Sequence, residues 1–245
     1  MRILYGPVES WRFGRSLGVD PLAARAKTCP FSCIYCQYGE TRHPTTRRRT
    51  WVTAEQLEAD LERLGPIRVD SVTFAGLGEP TLAANLAELA IVMRRHFSEP
   101  LIILTGSALM SRADARRELG SFDTVVAKLD APDEALFRRI NRPCSAYRAS
   151  LCGIVDGLER FRKAFAGKLV LQIMLVQANV HAAPRLAELA RGLEPDEVQL
   201  NTPLQPALGG PISAIEMAGV RGAFSGLPVR SVYQNGQAQI HVRLP

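Results

Sequence analysis

Short apolar runs and amphipathic stretches take turns along most of the chain. Residues 53–65, TAEQLEADLERLG, set Leu57, Leu61 and Leu64 on one helical stripe behind Thr53, a capping residue, with Glu55 and Gln56 in the first turn. Asp70–Gly76 then reads as a buried strand. Thr81–His96 carries Leu86, Leu89, Ile91 and Met93 at helical positions and leads into the apolar strand Leu101–Gly106. A short helix over Ser111–Leu119 precedes the strand Thr124–Asp130. Helical segments near Asp133–Ile140 and Tyr147–Phe165 lead to the strand Leu169–Val176, and a helix at about Ala182–Gly192 leads to the strand Glu197–Asn201. With a strand near Ser16–Asp20, about six βα units result, the signature of a parallel sheet with crossover helices.

A closed eight-unit barrel typically needs ~250 residues. Six units in 245 residues therefore predict an α/β chain folded as an incomplete (β/α)6 TIM-like barrel, mostly parallel and open at one side. The expected organisation is a single domain over residues 1–245, with its core at about 14–205 and a C-terminal extension at about 206–245. Within that extension Leu227–Leu244 alternates like one or two strands around Asn235-Gly236, a hairpin-type turn. Chemistry in such sheets sits outside the carboxyl ends of the strands, where loops from several units converge.

Composition narrows the setting. Apolar residues make up 47% of the chain, enough for a full core, yet the most apolar stretches, Leu101–Leu104 and Leu169–Val176, are strand-length and too short to span a bilayer. The opening MRILYGPV has no basic segment leading into an apolar run, so a soluble, cytoplasmic protein is expected. Five cysteines, three of them within eight residues, point in a reducing compartment to metal rather than to disulfides. The net charge of +6 suits an anionic partner and is also common among cytosolic proteins. Its local excess, Arg42-His-Pro-Thr-Thr-Arg47-Arg48-Arg49, has two readings, a solvated loop or a contact to RNA phosphate.

The cysteines read Cys29-x₃-Cys33-x₂-Cys36. A structural zinc site uses four protein ligands, commonly as two separated pairs, and the fourth is missing here. A cubane cluster on three thiolates leaves one iron open to chelate a small molecule. With Tyr35 before the last cysteine, the segment resembles the defining Cys-x₃-Cys-x-aromatic-Cys motif of the radical S-adenosylmethionine (SAM) superfamily. The resemblance implies one [4Fe–4S] cluster on Cys29, Cys33 and Cys36 and a SAM whose amino and carboxylate groups bind the open iron. It also implies an electron donor such as flavodoxin or ferredoxin, and reductive cleavage of SAM to a 5′-deoxyadenosyl radical. Such a radical removes hydrogen from unactivated positions, while the protein orients the reactants and excludes water.

Further SAM-contact candidates lie at successive strand ends. Gly76-Leu-Gly78-Glu79 resembles the superfamily's glycine-rich Gly-Gly-Glu element, in which glycines admit backbone carbonyls close to the SAM ammonium and a carboxylate adds negative charge. Thr105 and Ser107 stand in the position of a Thr-Asn-Gly-like element, to contact SAM or to cap the next segment. Lys128 and Asp130 share one face of an apolar strand and so need a partner or a ligand; they resemble a Lys-x-Asp element of glycyl-radical activases. Cys144, in Asn141-Arg-Pro-Cys144, is either a buried structural residue or a hydrogen donor or auxiliary ligand, and Cys152 reads as structural. Asn201 faces the substrate or forms a turn before Thr202-Pro203.

Nearly the whole chain also resembles a subgroup of small iron–sulfur oxidoreductases grouped with wyosine-type tRNA-modifying synthases. The matching residues are Tyr5-Gly-Pro-Val8, Gly14-Arg-Ser-Leu-Gly18, Gly78-Glu-Pro-Thr81, Arg139-Ile-Asn-Arg-Pro143 and Gln199-Leu-Asn-Thr-Pro203. Those tRNA-modifying relatives carry a second cluster on upstream cysteines, and no cysteine precedes Cys29 here. The expected substrate is large, such as RNA. The alternatives are a protein- or peptide-modifying enzyme, glycyl-radical activases included, and a non-catalytic iron–sulfur or SAM-binding regulator.

Overall fold

The computed structural model describes residues 2–203 and 209–233. Its strands, in chain order, are β1 (Leu4–Ser10), β2 (Gly14–Val19), the two-residue β3 (Thr28–Cys29) and β4 (His43–Pro44), β5 (Ser71–Phe74), β6 (Leu101–Thr105), β7 (Thr124–Lys128), β8 (Lys168–Met174), β9 (Glu197–Asn201) and β10 (Val229–Ser231). The helices are α1 (Ala54–Leu64), α2 (Leu86–His96), α3 (Ala113–Leu119), α4 (Glu134–Asn141), α5 (Leu151–Ala164), α6 (Ala183–Leu193) and α7 (Ala214–Ala223).

Eight strands build one sheet in the order β1-β2-β5-β6-β7-β8-β9-β10, and β3 pairs with β4 separately. Only the β1–β2 pair in the large sheet is antiparallel. The sheet curls into the incomplete TIM-like barrel that the alternating pattern predicts. Strand alternation divides its side chains. Val72, Phe74, Leu101, Ile103, Val125, Leu169, Leu171 and Ile173 join the main core under the helices. Ile102, Val126 and Val170, one position out of phase, form a separate cluster with Phe13 and Leu104 on the concave face. The strands are thus apolar on both faces, which is why they read as continuous runs.

Helix starts follow local chemistry. Thr53 and Gln56 form a reciprocal capping box on α1, Ser213 and Glu216 form another on α7, and Asp133 and Ser150 cap α4 and α5. The helix expected over Thr81–His96 is shorter: a 3₁₀ turn occupies Pro80–Leu82 and α2 starts at Leu86. The residues between are engaged elsewhere, for Ala84 donates to the Arg49 carbonyl and Arg48 donates to the carbonyls of Thr81 and Ala83. Arg48 also pairs with Asp114 and is almost fully buried, so this member of the basic cluster is a structural brace.

Several elements lie outside the six-unit pattern, among them the short β3–β4 pair and the helix α7, which falls where a C-terminal β extension was expected. β1 adds an antiparallel edge whose register shifts between Tyr5 and Val8, hiding the alternation. β10, within the expected C-terminal extension, pairs in parallel with β9. The proposed turn at Asn235-Gly236 lies outside the described residues. The two sheet edges approach at one end, where the Arg230 guanidinium donates to the carbonyls of Trp11 (3.0 Å) and Arg12 (3.4 Å) in the β1–β2 turn.

Candidate active site

The cysteine loop leaves β2 and crosses the carboxyl ends of the parallel strands. Its backbone is pinned on two sides. On one, Thr28 donates to the Leu77 carbonyl at 3.1 Å and accepts from the Glu79 amide at 3.0 Å. On the other, the Ser32 and Ile34 amides donate to the carbonyls of Arg142 and Ile140 at the end of α4, and the Cys144 amide just beyond it donates to the Pro30 carbonyl of the loop. Phe31 anchors the middle by edge contacts with Phe137 and Tyr147, at 5.3 and 5.0 Å between centroids. Each contact fixes a chain segment that would otherwise cost backbone entropy to order.

Cys29, Cys33 and Cys36 line one cavity of about 420 Å³, together with Tyr35, Gly76, Gly78, Glu79, Thr105 and Lys128. These nine residues singled out from the sequence thus meet there, and Asn201 with them. Ser107, Asp130 and Cys144 do not line it.

Glu79 ties two strand ends together. Its Oε1 accepts from the Thr81 amide (3.1 Å) and from the hydroxyls of Thr81 and Thr105 (both 2.6 Å), and its Oε2 accepts from the Gly106 amide (2.7 Å). Thr105 in turn accepts from the Ser107 amide at 3.0 Å. Ser107 itself is fully buried at positive φ, with its hydroxyl unpartnered. The Lys128/Asp130 pair divides its work. Lys128 faces the cavity, 3.2 Å from Asp130 Oδ1 and 4.7 Å from the Tyr35 ring centroid. Asp130 turns into the frame, accepting from the Tyr35 hydroxyl, from Asn141 Nδ2 (3.1 Å) and from the Met174 amide (2.8 Å).

The glycines of Gly76-Leu-Gly78 are required by the protein itself. A Cβ on Gly76 would lie 2.1 Å from Asp20 Cγ, and one on Gly78 would lie 2.0 Å from the Thr28 carbonyl oxygen. Asp20 completes the clamp by accepting from Leu77 at 3.0 Å and from Leu22 at 2.9 Å. We expect Gly78→Ala to cost about 1–3 kcal/mol by overpacking, read as a lower urea midpoint at unchanged slope. A loss under ~0.5 kcal/mol would show that the loop yields freely.

The donor chemistry fits a cluster. Burial pushes the Cys29 thiol well up, with the nearby negative charges of Glu79 and Cys33 adding to it. Burial and then Asp130 push Cys33 up to about 11. Forming thiolates here requires compensating positive charge inside the same cavity, which the iron of a cluster would supply. Among the described residues no three His, Cys, Asp or Glu side chains converge on a single ion. A cubane binds each thiolate at its own iron and needs no such convergence.

Several participants escaped the sequence reading. Asn141 lies 3.5 Å from Cys33 Sγ and bonds Asp130, and Asn179 donates to the Asp130 carbonyl at 2.8 Å. The one available clue was the position of Asn141, at the end of an amphipathic helix and just ahead of Pro143-Cys144. Asn201 lines the cavity and also accepts from the Thr202 amide at 2.9 Å.

An open α/β barrel with a three-cysteine loop over its strand ends defines a metallocofactor-binding barrel. The chain belongs to the radical SAM superfamily, whose family model matches residues 25–190. Members of that superfamily use a [4Fe–4S] cluster and SAM. It is 39% identical over 206 residues to a UPF0026 protein of Synechocystis, covering 83% of this chain and 76% of that one. To a UPF0026 protein of Methanocaldococcus jannaschii it is 36% identical, covering 84% and 65%. The chain thus spans about two thirds to three quarters of the length of these relatives. Among solved structures, SuiB of Streptococcus suis bound to S-adenosylmethionine superposes with a TM-score of 0.65 at 14% identity, covering 87% of this chain and 49% of that one. A radical SAM methyltransferase of Sphaerobacter thermophilus gives 0.62 at 19%, covering 88% and 65%. At such identities the likeness is one of fold.

Proposed function

We propose that this chain holds a [4Fe–4S] cluster on Cys29, Cys33 and Cys36, cleaves SAM reductively to a 5′-deoxyadenosyl radical, and uses it on a large substrate such as RNA. The observation that carries the reading is the meeting of three thiols with Glu79, Thr105 and Lys128 in one cavity. Gly76–Glu79 and Thr105–Gly106 form the wall against which SAM lies, braced by the Glu79 hydrogen bonds. Lys128 supplies the cation for a SAM carboxylate or ribose oxygen, and Asp130 orients Tyr35 behind it. A flavodoxin or ferredoxin delivers the electron. The reaction takes place in the cytoplasm, where the five free cysteines stay reduced; among the described residues no helix is long and apolar enough to cross a membrane. Incubating cluster-loaded protein with dithionite and SAM should form 5′-deoxyadenosine. Persistent failure with an intact cluster would favour a regulator.

RNA is supported by a second, basic groove. Arg25, Arg42, Arg47 and Arg49 line it beside Trp51, with the Arg49 guanidinium 3.7 Å from the Trp51 ring centroid. Unlike Arg48, Arg42 makes no ion pair among the described residues. Such a surface suits phosphates with an exposed base stacked nearby. Arg42→Ala with Arg47→Ala should weaken binding to total tRNA and reduce the salt slope by roughly 1 for each phosphate left without its arginine. No tRNA affinity at low salt would remove RNA and favour a polypeptide substrate.

A further inference from the structure

The cavity that begins at the cysteine loop continues down the concave face of the sheet to the β1–β2 turn, so Trp11, Arg12 and Phe13 line it together with the cysteines. This turn precedes β2 and lies at the amino ends of the parallel strands. Strands of five or six residues rising ~3.3 Å per residue separate the two ends by ~15–20 Å.

Arg12 is unusual among the cations of this wall. Lys27 donates to the Gly39 carbonyl at 2.7 Å, and Lys128 pairs with Asp130 at 3.2 Å. Arg12 has no ion pair among the described residues, and its Nε is shut off from solvent without a hydrogen-bond partner. Glu9, which also lines the cavity, is exposed and makes no ion pair with it. The Arg12 guanidinium lies 4.9 Å from the Phe13 ring centroid and 5.8 Å from that of Trp11. Phe13 packs in turn on Ile102, Val126 and Val170 of the barrel interior. Arg230 holds the turn in place through the Trp11 and Arg12 carbonyls. Burial lowers the Arg12 pKa to about 10, with Arg230 acting in the same direction, which leaves the guanidinium charged at neutral pH.

A half-buried cation held against aromatic rings, its Nε shut off from solvent and without a carboxylate, costs stability unless a ligand supplies the counter-charge. A planar guanidinium with free donors matches an oxyanion in two-point geometry. We propose that Arg12 anchors an oxyanion subsite at the amino-terminal end of the barrel, which receives a carboxylate or phosphate of the substrate. Phe13 and Trp11 support the Arg12 plane. The substrate's reacting carbon then lies between this anchor and the cysteine loop, a placement that rests on the radical reading above, whereas the anion site does not.

The test is thermal unfolding of the purified full chain at low ionic strength, with or without cluster, titrated with inorganic phosphate or with succinate. Wild type is expected to show a saturable rise in Tm with at least one of them. Response to phosphate alone identifies a phosphate ester, and response to succinate alone a carboxylate. Arg12→Met should weaken the apparent affinity roughly 10- to 100-fold and, free of the unpaired charge, unfold above ligand-free wild type. Arg12→Lys should retain a reduced response, which separates charge recognition from a folding defect. No saturable response in wild type, or an undiminished one in Arg12→Met, would overturn the subsite. Because the measurement needs neither cluster nor SAM, its failure leaves the SAM-cleavage reading standing, and the reverse holds too.

Discussion

Alanine at Cys29, at Cys33 or at Cys36 is expected to remove the brown iron–sulfur absorbance of the reconstituted protein and to bring 5′-deoxyadenosine formation to background. The three thiols line one cavity, and two thiolates hold a cubane poorly. The same substitution at Cys144 or Cys152 is expected to leave iron loading intact. Cys144 lies behind the cysteine loop, bonded through its amide to Pro30, and Cys152 is exposed on α5. Iron and sulfide content of the five single variants, reconstituted side by side, checks the assignment. Full loading in any of the first three would overturn the ligand set.

The second large effect belongs to stability. Asp130 is wholly buried, receives hydrogen bonds from Tyr35, Asn141 and Met174, and faces Lys128. Asp130→Ala strands four groups at once, among them a cation 18% exposed. Loss of one partner of such a buried set costs about 3–5 kcal/mol. Asp130→Asn, which keeps an acceptor, should lose less. Urea unfolding measures both, and a loss below ~1 kcal/mol for alanine would show that Asp130 does not hold the cysteine loop to the sheet.

What was legible in the sequence was whatever depends on spacing. The strands at Leu101, Thr124 and Glu197 start at the expected residues, and the one at Ser71 starts one residue after the expected Asp70, because buried parallel strands are short unbroken apolar runs. The cysteine spacing carried the family, and the strand ends carried most of the cavity wall. Illegible were partners distant in sequence. Nothing local distinguishes Arg48, which braces Thr81 and Ala83, from its solvated neighbours Arg47 and Arg49. Asp130 and Lys128 look equivalent on one strand face, yet only Lys128 lines the cavity, since Asn141 and Tyr35 arrive from other elements to claim the carboxylate. Gly76 and Gly78 were singled out for a close approach to SAM, and the Cβ space they leave is taken by Asp20 and Thr28 of the protein. Arg12 sits in a turn that no helix or strand period reaches.

Radical initiation at this site requires a cluster with one iron left open for SAM. Electron paramagnetic resonance of the dithionite-reduced, reconstituted protein, recorded before and after addition of SAM, tests that requirement most directly. A reduced [4Fe–4S] signal whose g-values shift on adding SAM is the predicted result, because a new ligand at the fourth iron changes the cluster's electronic structure. A cluster signal indifferent to SAM, or a preparation that takes up zinc and gives no signal, would contradict it.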